Sequence, residues 1–364
     1  MGHSCGLLAG LNSVPFLGRC VTLFIDHSQP FGALGVELFF VLSGFLIGNI
    51  LIKIFIGSNE FTFSTVRDFW IRRWFRTLPN YWLILTINIV LYSALNLQRI
   101  VPYQFLYYPF LQNLWYPDPM LFFNEAWSLS IEEWFYLTLP VVMYLTSTLF
   151  NPKDKGKFLL NVFIAYLCAF LLIRVINAFH PINGPDQDNG IRKVVLFRLD
   201  AVMYGVLFAY LNYFKAGVAN RMKNFLLTMS VCGVAVMFFL MAKRDMQFRS
   251  SPDPAIRFAS DAFLYLLLPL LFSLCLPAAN SLKRMKNKRI SDTIQFISKI
   301  SYSIYLIHYS LVYLPFFYLL HATTVVATII WYLLYWVVVI GLSAFTYKYF
   351  EQPVMKLRDK ISRG

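Results

Sequence analysis

Apolar residues gather along the chain into ten segments, each close to the length that an α-helix needs to cross a lipid bilayer. A crossing takes about 20 predominantly apolar residues. The segments cover residues 8–27, 33–55, 80–98, 127–148, 158–179, 195–214, 224–242, 259–279, 297–320 and 325–347. The pattern predicts an all-α fold, a polytopic membrane helix bundle with about ten transmembrane helices.

Composition and charge fit that prediction. Hydrophobic residues make up 58% of the chain and charged residues 14%, against about 25% charged in an ordinary soluble domain. The net charge of +14 would suggest nucleic acid as the partner of a soluble protein. Here 22 of the 32 Lys and Arg residues fall on the side of the bundle that carries the termini, and only seven fall opposite. The positive-inside rule then predicts cytoplasmic termini, membrane lipids as neighbours and no nucleic-acid partner.

The same pattern predicts one membrane domain over residues 1–364, with no appended soluble domain. The five cysteines are scattered and form no CxxC pair. Neither a metal site nor a disulfide framework is therefore expected.

Ionisable residues near or within the predicted spans fall into two layers. Such residues are expensive in lipid and commonly mark functional sites. The outer layer comprises His27, Glu37, Glu132, Glu133, Arg174, Arg198 and Asp200, and the inner layer comprises Arg72, Arg73 and Arg76. This division suits an enzyme that holds an anionic donor from the cytoplasm and does its chemistry further out.

Six stretches carry a family resemblance. They are GVELFFVLSGFLI (35–47), RRWFRTLPNYW (72–82), WSLSIEEWFYL (127–137), FRLDAVMYG (197–205), SYSIYLIH (301–308) and YFEQPVMKL (349–357). In this order they resemble the signatures of the integral-membrane acyltransferase 3 family. The resemblance implies ten spans and transfer of an acyl group, usually acetyl from acetyl-CoA, to a hydroxyl of a glycan, a lipid-linked sugar or a macrolide. It also implies a multi-pass protein of a bacterial inner membrane that modifies polysaccharide.

By the same resemblance, the histidine that ends the first span is catalytic, which is His27 here, and the arginines Arg72, Arg73 and Arg76 bind the CoA. Two positions depart from the family pattern. Glu37 stands where the family has Asp, and seven residues separate Arg19 from His27, fewer than in the family.

Esterification of a hydroxyl by a thioester needs a base that works near neutral pH, which suits an imidazole. His27 is the predicted base, or else the acyl carrier. A carboxylate on its second ring nitrogen would fix the tautomer, and Glu37, Glu132 or Asp200 could supply it. Arg198, Tyr302 and Tyr305 are candidate donors to a developing oxyanion.

Each assignment has a structural alternative. Ser130 and Glu133 could form an S-x-x-E capping box. Arg174, Arg198 and Asp200 could form a buried structural network. Ser301, Tyr305 and His308 are predicted to share an interior face of the ninth span, with His308 as an inter-helix contact or a second catalyst.

The remaining candidates also have two interpretations. His27 could be an interfacial histidine at a helix end, and the three inner arginines could bind anionic lipid. The aromatic residues between 102 and 127 could form an interfacial belt, or Tyr107, Tyr108, Trp115 and Tyr116 could stack against sugar.

Two rival functions come from other classes. A transporter or flippase would also place ionisable residues inside a bundle, but it should show duplicated halves with matched broken helices, which the sequence lacks. A non-enzymatic scaffold has no use for layered charge in lipid.

Overall fold

A computed structural model describes residues 15–95, 102–118, 122–179, 188–247, 263, 265–282, 287–315 and 325–361, with backbone alone for 15–31, 241–247, 325, 326, 328 and 359–361. Over these residues the chain forms helices and connecting turns and no strand. The predicted all-α class is confirmed.

The described part of the chain contains eleven α-helices. They are α1 (Pro15–Gly57), α2 (Phe63–Ala94), α3 (Ala126–Phe150), α4 (Lys155–Phe179), α5 (Leu199–Phe214), α6 (Ala216–Gln247), α7 (Tyr265–Ser273), α8 (Leu276–Asn280), α9 (Lys288–Ile307), α10 (Val325–Thr346) and α11 (Gln352–Ile361). Short 3₁₀ turns cover Pro102–Tyr107 and Val195–Phe197. Wider π-helical turns cover Asp188–Arg192, His308–Tyr313 and Tyr347–Glu351.

Four helical stretches in the described part of the chain are long and apolar enough to cross a membrane. They are Gly32–Gly57, Lys155–Phe179, Ala216–Leu240 and Ile329–Arg358. Leu199–Phe214 and Tyr265–Asn280 are apolar but shorter. These helices support a membrane protein, while ten spans and cytoplasmic termini stay predictions.

Several helix boundaries differ from the sequence prediction, and two of them affect where the predicted site residues lie. The helix α1 runs without interruption through residues 28–32, where a connection between two spans was predicted. The helix α2 begins at Phe63 instead of residue 80. Its first half is helical, but this arginine-rich part is too polar to have been recognised as part of a span. Arg72, Arg73 and Arg76 therefore belong to a long helix and not to the loop before it.

The capping-box prediction for Ser130 and Glu133 is wrong. The helix α3 already begins at Ala126, so Ser130 lies inside it. The Ser130 hydroxyl donates to the Ala126 carbonyl at 3.1 Å and accepts from the Gln112 amide at 2.7 Å. The predicted span at 127–148 began one residue after the helix does, so the S-x-x-E pattern was misleading although the span was placed correctly.

The backbones of α1 and α5 approach each other at glycines. A Cβ atom added to Gly44 would lie 1.9 Å from the Val202 carbonyl oxygen, and one added to Gly205 would lie 2.0 Å from the Val41 carbonyl oxygen. Gly44 and Gly48 have the GxxxG spacing that permits close helix packing in membranes.

We expect Gly205→Ala to lower the thermal unfolding midpoint of the detergent-solubilised protein by several degrees. Alanine favours a helix over glycine by about 1 kcal/mol, but here its methyl group would force α1 and α5 apart. Gly341→Ala in α10 is the matched control, because an added Cβ there meets nothing within 4 Å. Equal midpoints for the two variants would contradict the close packing.

The helix α3 lies between two apolar clusters. One cluster joins α3 to α1, α4 and α5. The other joins α3 to α2, α9, α10 and the aromatic segment before Ala126. The side chains of α3 therefore face the helices that carry most of the predicted site residues.

Candidate active site

A polar stripe runs along the buried length of α3. Ser128, Glu132 and Tyr136 follow one another at intervals of four residues, so they share one face of the helix. All three are buried. From Ser128 to Tyr136 the stripe covers about 12 Å of helix length.

The inner cluster lies at the Tyr136 end of the stripe, where α1, α2 and α3 meet. Arg73 donates to the Tyr136 hydroxyl at 2.7 Å, and its guanidinium carbon lies 4.4 Å from the centre of the Tyr136 ring. The Ser43 hydroxyl is hydrogen-bonded to the same tyrosine oxygen. Arg73 is the shared cation for Glu132 and Glu133. The predicted separation of these glutamates, in the outer layer, from the inner arginines is therefore wrong.

The two glutamates of the inner cluster are incompletely hydrogen-bonded. Within the described residues, Oε1 of Glu132 and Oε2 of Glu133 are buried and lack a hydrogen-bond partner. A buried polar atom of this kind calls for a water, a proton or a ligand. The two carboxylates and the guanidinium beside them therefore form a buried polar cluster inside the bundle.

The three inner arginines do not share one environment. Successive helical residues differ by about 100° in direction, so Arg72 is exposed while Arg73 turns toward α3. Arg76 is also exposed, and it interacts electrostatically with Arg73, Glu351 and Arg358. Arg72 and Arg76 are the accessible members of the group.

The outer cluster lies at the Ser128 end of the stripe, where α3 meets the end of α9. The Tyr305 hydroxyl donates to the Glu125 carbonyl at 3.1 Å and is hydrogen-bonded to the Ser128 hydroxyl. The Glu125 carboxylate accepts from the Ser310 N–H at 3.0 Å and from the Ser310 hydroxyl. His308 Nδ1 lies 2.8 Å from the Tyr305 carbonyl oxygen.

The buried Glu125 carboxyl lies among groups that act on its pKa in opposite directions, and the net result is a raised pKa. Burial raises the pKa of this carboxyl, while His308 and the two Ser310 hydrogen bonds act to lower it. The group is 5% exposed, so its charge acts through little water on the nearby imidazole.

The helix α1 passes beside the outer cluster. The rings of Phe39 and Tyr305 are stacked with their centres 6.2 Å apart, and Phe40 meets Trp127 edge-on at 6.0 Å. The Arg192 guanidinium lies over the Trp127 ring at 4.6 Å. Phe39 and Ser43 are one turn apart on α1, so this helix contacts the outer and inner clusters in succession.

Four further charges form a buried quartet. Arg198 pairs with Glu37 of α1, and Arg174 of α4 pairs with Asp200 of α5. All four side chains are at most 1% exposed. Arg198 also donates to the Tyr265 carbonyl at 2.8 Å, so the quartet joins α1, α4, α5 and α7.

The side chains on α9 follow a different face from the predicted one. Ser301 is exposed and bonds to the Ser298 carbonyl, so the prediction that it shares an interior face with Tyr305 and His308 is wrong. Ser303 is the buried serine, and it donates to Glu351 at 3.1 Å. Tyr302 donates to the Thr77 carbonyl at 2.8 Å.

The aromatic segment before α3 is divided between core and surface. Tyr107 is buried and hydrogen-bonded to Asp118, whereas Trp115 and Tyr116 are each 63% exposed. Burial and the Asp118 charge raise the pKa of Tyr103 to about 12. Of the four predicted sugar-stacking residues, Trp115 and Tyr116 are therefore the two with well-exposed rings.

The side chains of Arg19 and His27 lie outside the described residues, so their roles stay predictions. Within the described part, no group of three or more His, Cys, Asp or Glu residues is placed to hold a metal ion.

Five polar residues of the inner and outer clusters were missed by the sequence analysis: Ser43, Glu125, Ser128, Tyr136 and Ser310. The Ser128, Glu132 and Tyr136 spacing was visible in the sequence, and it could have identified Tyr136. Nothing in the sequence places Ser310 against Glu125, because 185 residues separate them.

Comparisons with known proteins find similarity to acyltransferases. A family profile described as an acyltransferase domain matches residues 1–348. A Bacillus subtilis protein provisionally named peptidoglycan O-acetyltransferase YrhL is 29% identical over 174 residues, 43% of this chain and 26% of that protein. The O-acetyltransferase OatA of Staphylococcus aureus is 26% identical over 329 residues, 84% of this chain and 50% of that protein.

The chain thus spans no more than half the length of these curated relatives. No solved structure matches it.

Proposed function

The chain belongs to the acyltransferase family whose domain profile matches its residues 1–348, and on that premise we propose that it is a membrane O-acetyltransferase. Its donor is acetyl-CoA or another acyl-CoA bound from the cytoplasm. Its acceptor is a hydroxyl of a glycan, and peptidoglycan is the first candidate because a relative's name specifies it. A lipid-linked sugar or a macrolide-like compound is the alternative acceptor.

The observation that carries this proposal is the polar stripe of α3. It connects an arginine cluster at one end with a tyrosine and a histidine at the other. A transfer reaction across a membrane needs such a connection, since the phosphates of the donor and the hydroxyl of the acceptor approach from opposite sides. A scaffold has no need of a continuous line of buried polar groups, which are costly to desolvate.

Each end of the stripe receives a role. The exposed Arg72 and Arg76 bind the CoA phosphates, because guanidinium groups form bidentate contacts with phosphate. Arg73 lies deeper and holds Tyr136 and the two glutamates. The pantetheine arm then follows the stripe toward the outer end.

The chemistry balances as an acyl transfer. The acceptor oxygen forms a bond to the acyl carbon, the carbon–sulfur bond of the thioester breaks, and the hydroxyl proton ends on the released thiol. His27 serves as the base, or as the carrier that holds the acyl group between two such steps. Glu37 is already paired with Arg198, so Glu132, with its unpartnered oxygen, is the better candidate for the carboxylate that handles protons.

The test is a thiol-release assay on the purified protein in proteoliposomes, with acetyl-CoA as donor and peptidoglycan fragments as acceptor. We expect release of CoA thiol and an O-acetylated product in equal amounts. A transporter or flippase would move its substrate without consuming the thioester. Movement of substrate with no loss of acetyl-CoA would therefore favour that rival.

The arginine assignment gives a separate prediction. We expect Arg76→Ala to raise the dissociation constant for acetyl-CoA by roughly 10- to 100-fold, since a hydrogen bond to a charged group contributes about 1.5–3 kcal/mol. Titration calorimetry on the solubilised protein measures it.

Arg67→Ala is the matched control on the same helix, because Arg67 is 63% exposed and pairs with the neighbouring Asp68. An Arg76→Ala dissociation constant as close to the wild-type value as that of Arg67→Ala would rule out Arg76 as a phosphate ligand.

A further inference from the structure

His308 has a defined tautomer. A carbonyl oxygen only accepts hydrogen bonds, so the ring nitrogen that lies 2.8 Å from the Tyr305 carbonyl must be a protonated Nδ1. In the neutral imidazole Nε2 then carries the lone pair. Within the described residues Nε2 has no hydrogen-bond partner, and the side chain is half-buried.

The backbone around His308 is arranged to present this ring. The helix α9 changes at His308 into the π-helical turn His308–Tyr313, and π-helical turns are frequent at functional sites. The Ser310 N–H donates to Glu125. The Tyr305 carbonyl, five residues before Ser310, accepts from the imidazole.

Two charged groups lie near His308. Glu125 interacts electrostatically with His308 and is fixed by two hydrogen bonds from Ser310. Arg192 is the nearby cation, which interacts electrostatically with Tyr305 and lies over the Trp127 ring. An imidazole that hydrogen-bonds through Nδ1, leaves Nε2 bare and has a buried carboxylate nearby is the arrangement of a general base.

We propose that His308 is a second catalytic histidine, whose Nε2 takes the proton of the acceptor hydroxyl, with Glu125 as its positioning residue. The inference rests on the proposed function and assigns the two histidines separate tasks. His27 accepts the acyl group from the thioester, and the CoA thiol leaves. The acceptor oxygen then bonds to the acyl carbon as its proton passes to His308, the bond from the acyl carbon to His27 breaks, and His308 returns the proton to the freed His27 imidazole or to water.

The location of His308 supports this division of work. Ser128 and Tyr305 connect it to the first turn of α3, the end of that helix which the charge distribution predicts to face outward. The stacked Phe39 ring brings α1 to the same place. The exposed Trp115 and Tyr116 belong to the segment just before α3, where a sugar ring can stack.

The test compares His308→Gln and His308→Ala in the proteoliposome assay. Glutamine is polar and of similar size but supplies no base, so we expect His308→Gln to lose about 10²- to 10⁴-fold in transfer rate. The dissociation constant for acetyl-CoA and the unfolding midpoint should stay at the wild-type values. Added imidazole should restore part of the transfer by His308→Ala, because it fills the space of the missing ring.

The variant Glu125→Gln tests whether Glu125 positions the His308 ring. The amide oxygen can still accept from Ser310, but the charge is lost, so we expect a roughly tenfold decrease in rate. In a His308→Gln background the same change should have no additional effect, since Glu125 acts through the imidazole. A decrease that adds fully in the double variant would assign Glu125 a merely structural role.

The inference fails if His308→Gln transfers acetyl groups within threefold of the wild-type rate. It also fails if imidazole restores nothing to a folded His308→Ala protein that still binds acetyl-CoA. Either result leaves the acyltransferase proposal intact. The absence of any thiol release by the wild-type protein would instead overturn the proposed function itself.

Discussion

We expect His27→Ala to lose acetyl transfer by at least about 10²- to 10⁴-fold, the range that follows removal of a general base. A larger loss is expected if His27 also carries the acyl group, because neither half of the transfer then has its acceptor. The measurement is O-acetylated product formed per minute by the wild-type and variant proteins at equal concentration in proteoliposomes.

Binding of the donor should survive this substitution. The proposed phosphate ligands are Arg72 and Arg76, which lie on another helix, so the dissociation constant for acetyl-CoA should stay within twofold of the wild-type value. His321→Ala is the sequence-matched control, because the pattern around His321 suggests no role for it. Undiminished product formation by His27→Ala would end the assignment of His27.

The first half of the reaction, transfer of the acetyl group from acetyl-CoA to the protein, distinguishes the role of His27 from that of His308. If His27 carries the acyl group, radiolabelled acetyl-CoA should leave label on the His308→Gln protein when no acceptor is present. The His27→Ala protein should retain none. Label on both variants would exclude His27 as the carrier and leave it at most a base.

The sequence predicted the class of the fold because hydrophobic runs of spanning length depend on composition alone. The helix boundaries were harder to predict from the sequence than the fold class. The first half of α2 carries the arginines and has no apolar run, so its helical state comes from packing Trp70 and Arg73 against Tyr136. The span predicted at 127–148 matches α3 closely, whereas the S-x-x-E pattern wrongly suggested a capping box at Ser130, which lies inside the helix.

The site was predictable to the extent that it consists of charged groups at lipid depth. Glu37, Glu132, Arg198 and Asp200 were selected on that ground, and all four are buried in the structure. The sequence could not show which of these charged residues form ion pairs with each other. Arg198 meets Glu37 across 161 residues, and three-dimensional packing alone decides that Asp200 faces Arg174.

The role of Glu125 shows a further limit. Glu125 precedes a predicted span and resembles a carboxylate of an outer loop. In the structure it is buried, because the segment of residues 122–125 packs its aromatic rings, Phe122 and Phe123, into the core and carries the glutamate with them. Burial next to Ser310 and His308 turns an ordinary loop residue into a candidate for the reaction.

The largest effect on stability is expected from Asp200→Ala. The substitution leaves Arg174 buried without its partner, and removal of one member of a buried ion pair destabilises a protein by about 3–5 kcal/mol. The change should appear as a strongly lowered unfolding midpoint in detergent. Asp68→Ala is the matched control, because the Arg67–Asp68 pair is exposed and such pairs contribute about 0–1 kcal/mol.

The double variant Arg174→Met/Asp200→Leu decides what the quartet does. Two positive and two negative charges cancel, so apolar residues of similar volume can replace one pair with little loss of stability. If the double variant regains the midpoint that Asp200→Ala loses and also transfers acetyl groups normally, the pair is structural. If it regains the midpoint but not the transfer, the charges of Arg174 and Asp200 serve the reaction. An Asp200→Ala protein as stable as Asp68→Ala would mean that Arg174 finds water or another partner, and the buried pair would then contribute nothing to the fold.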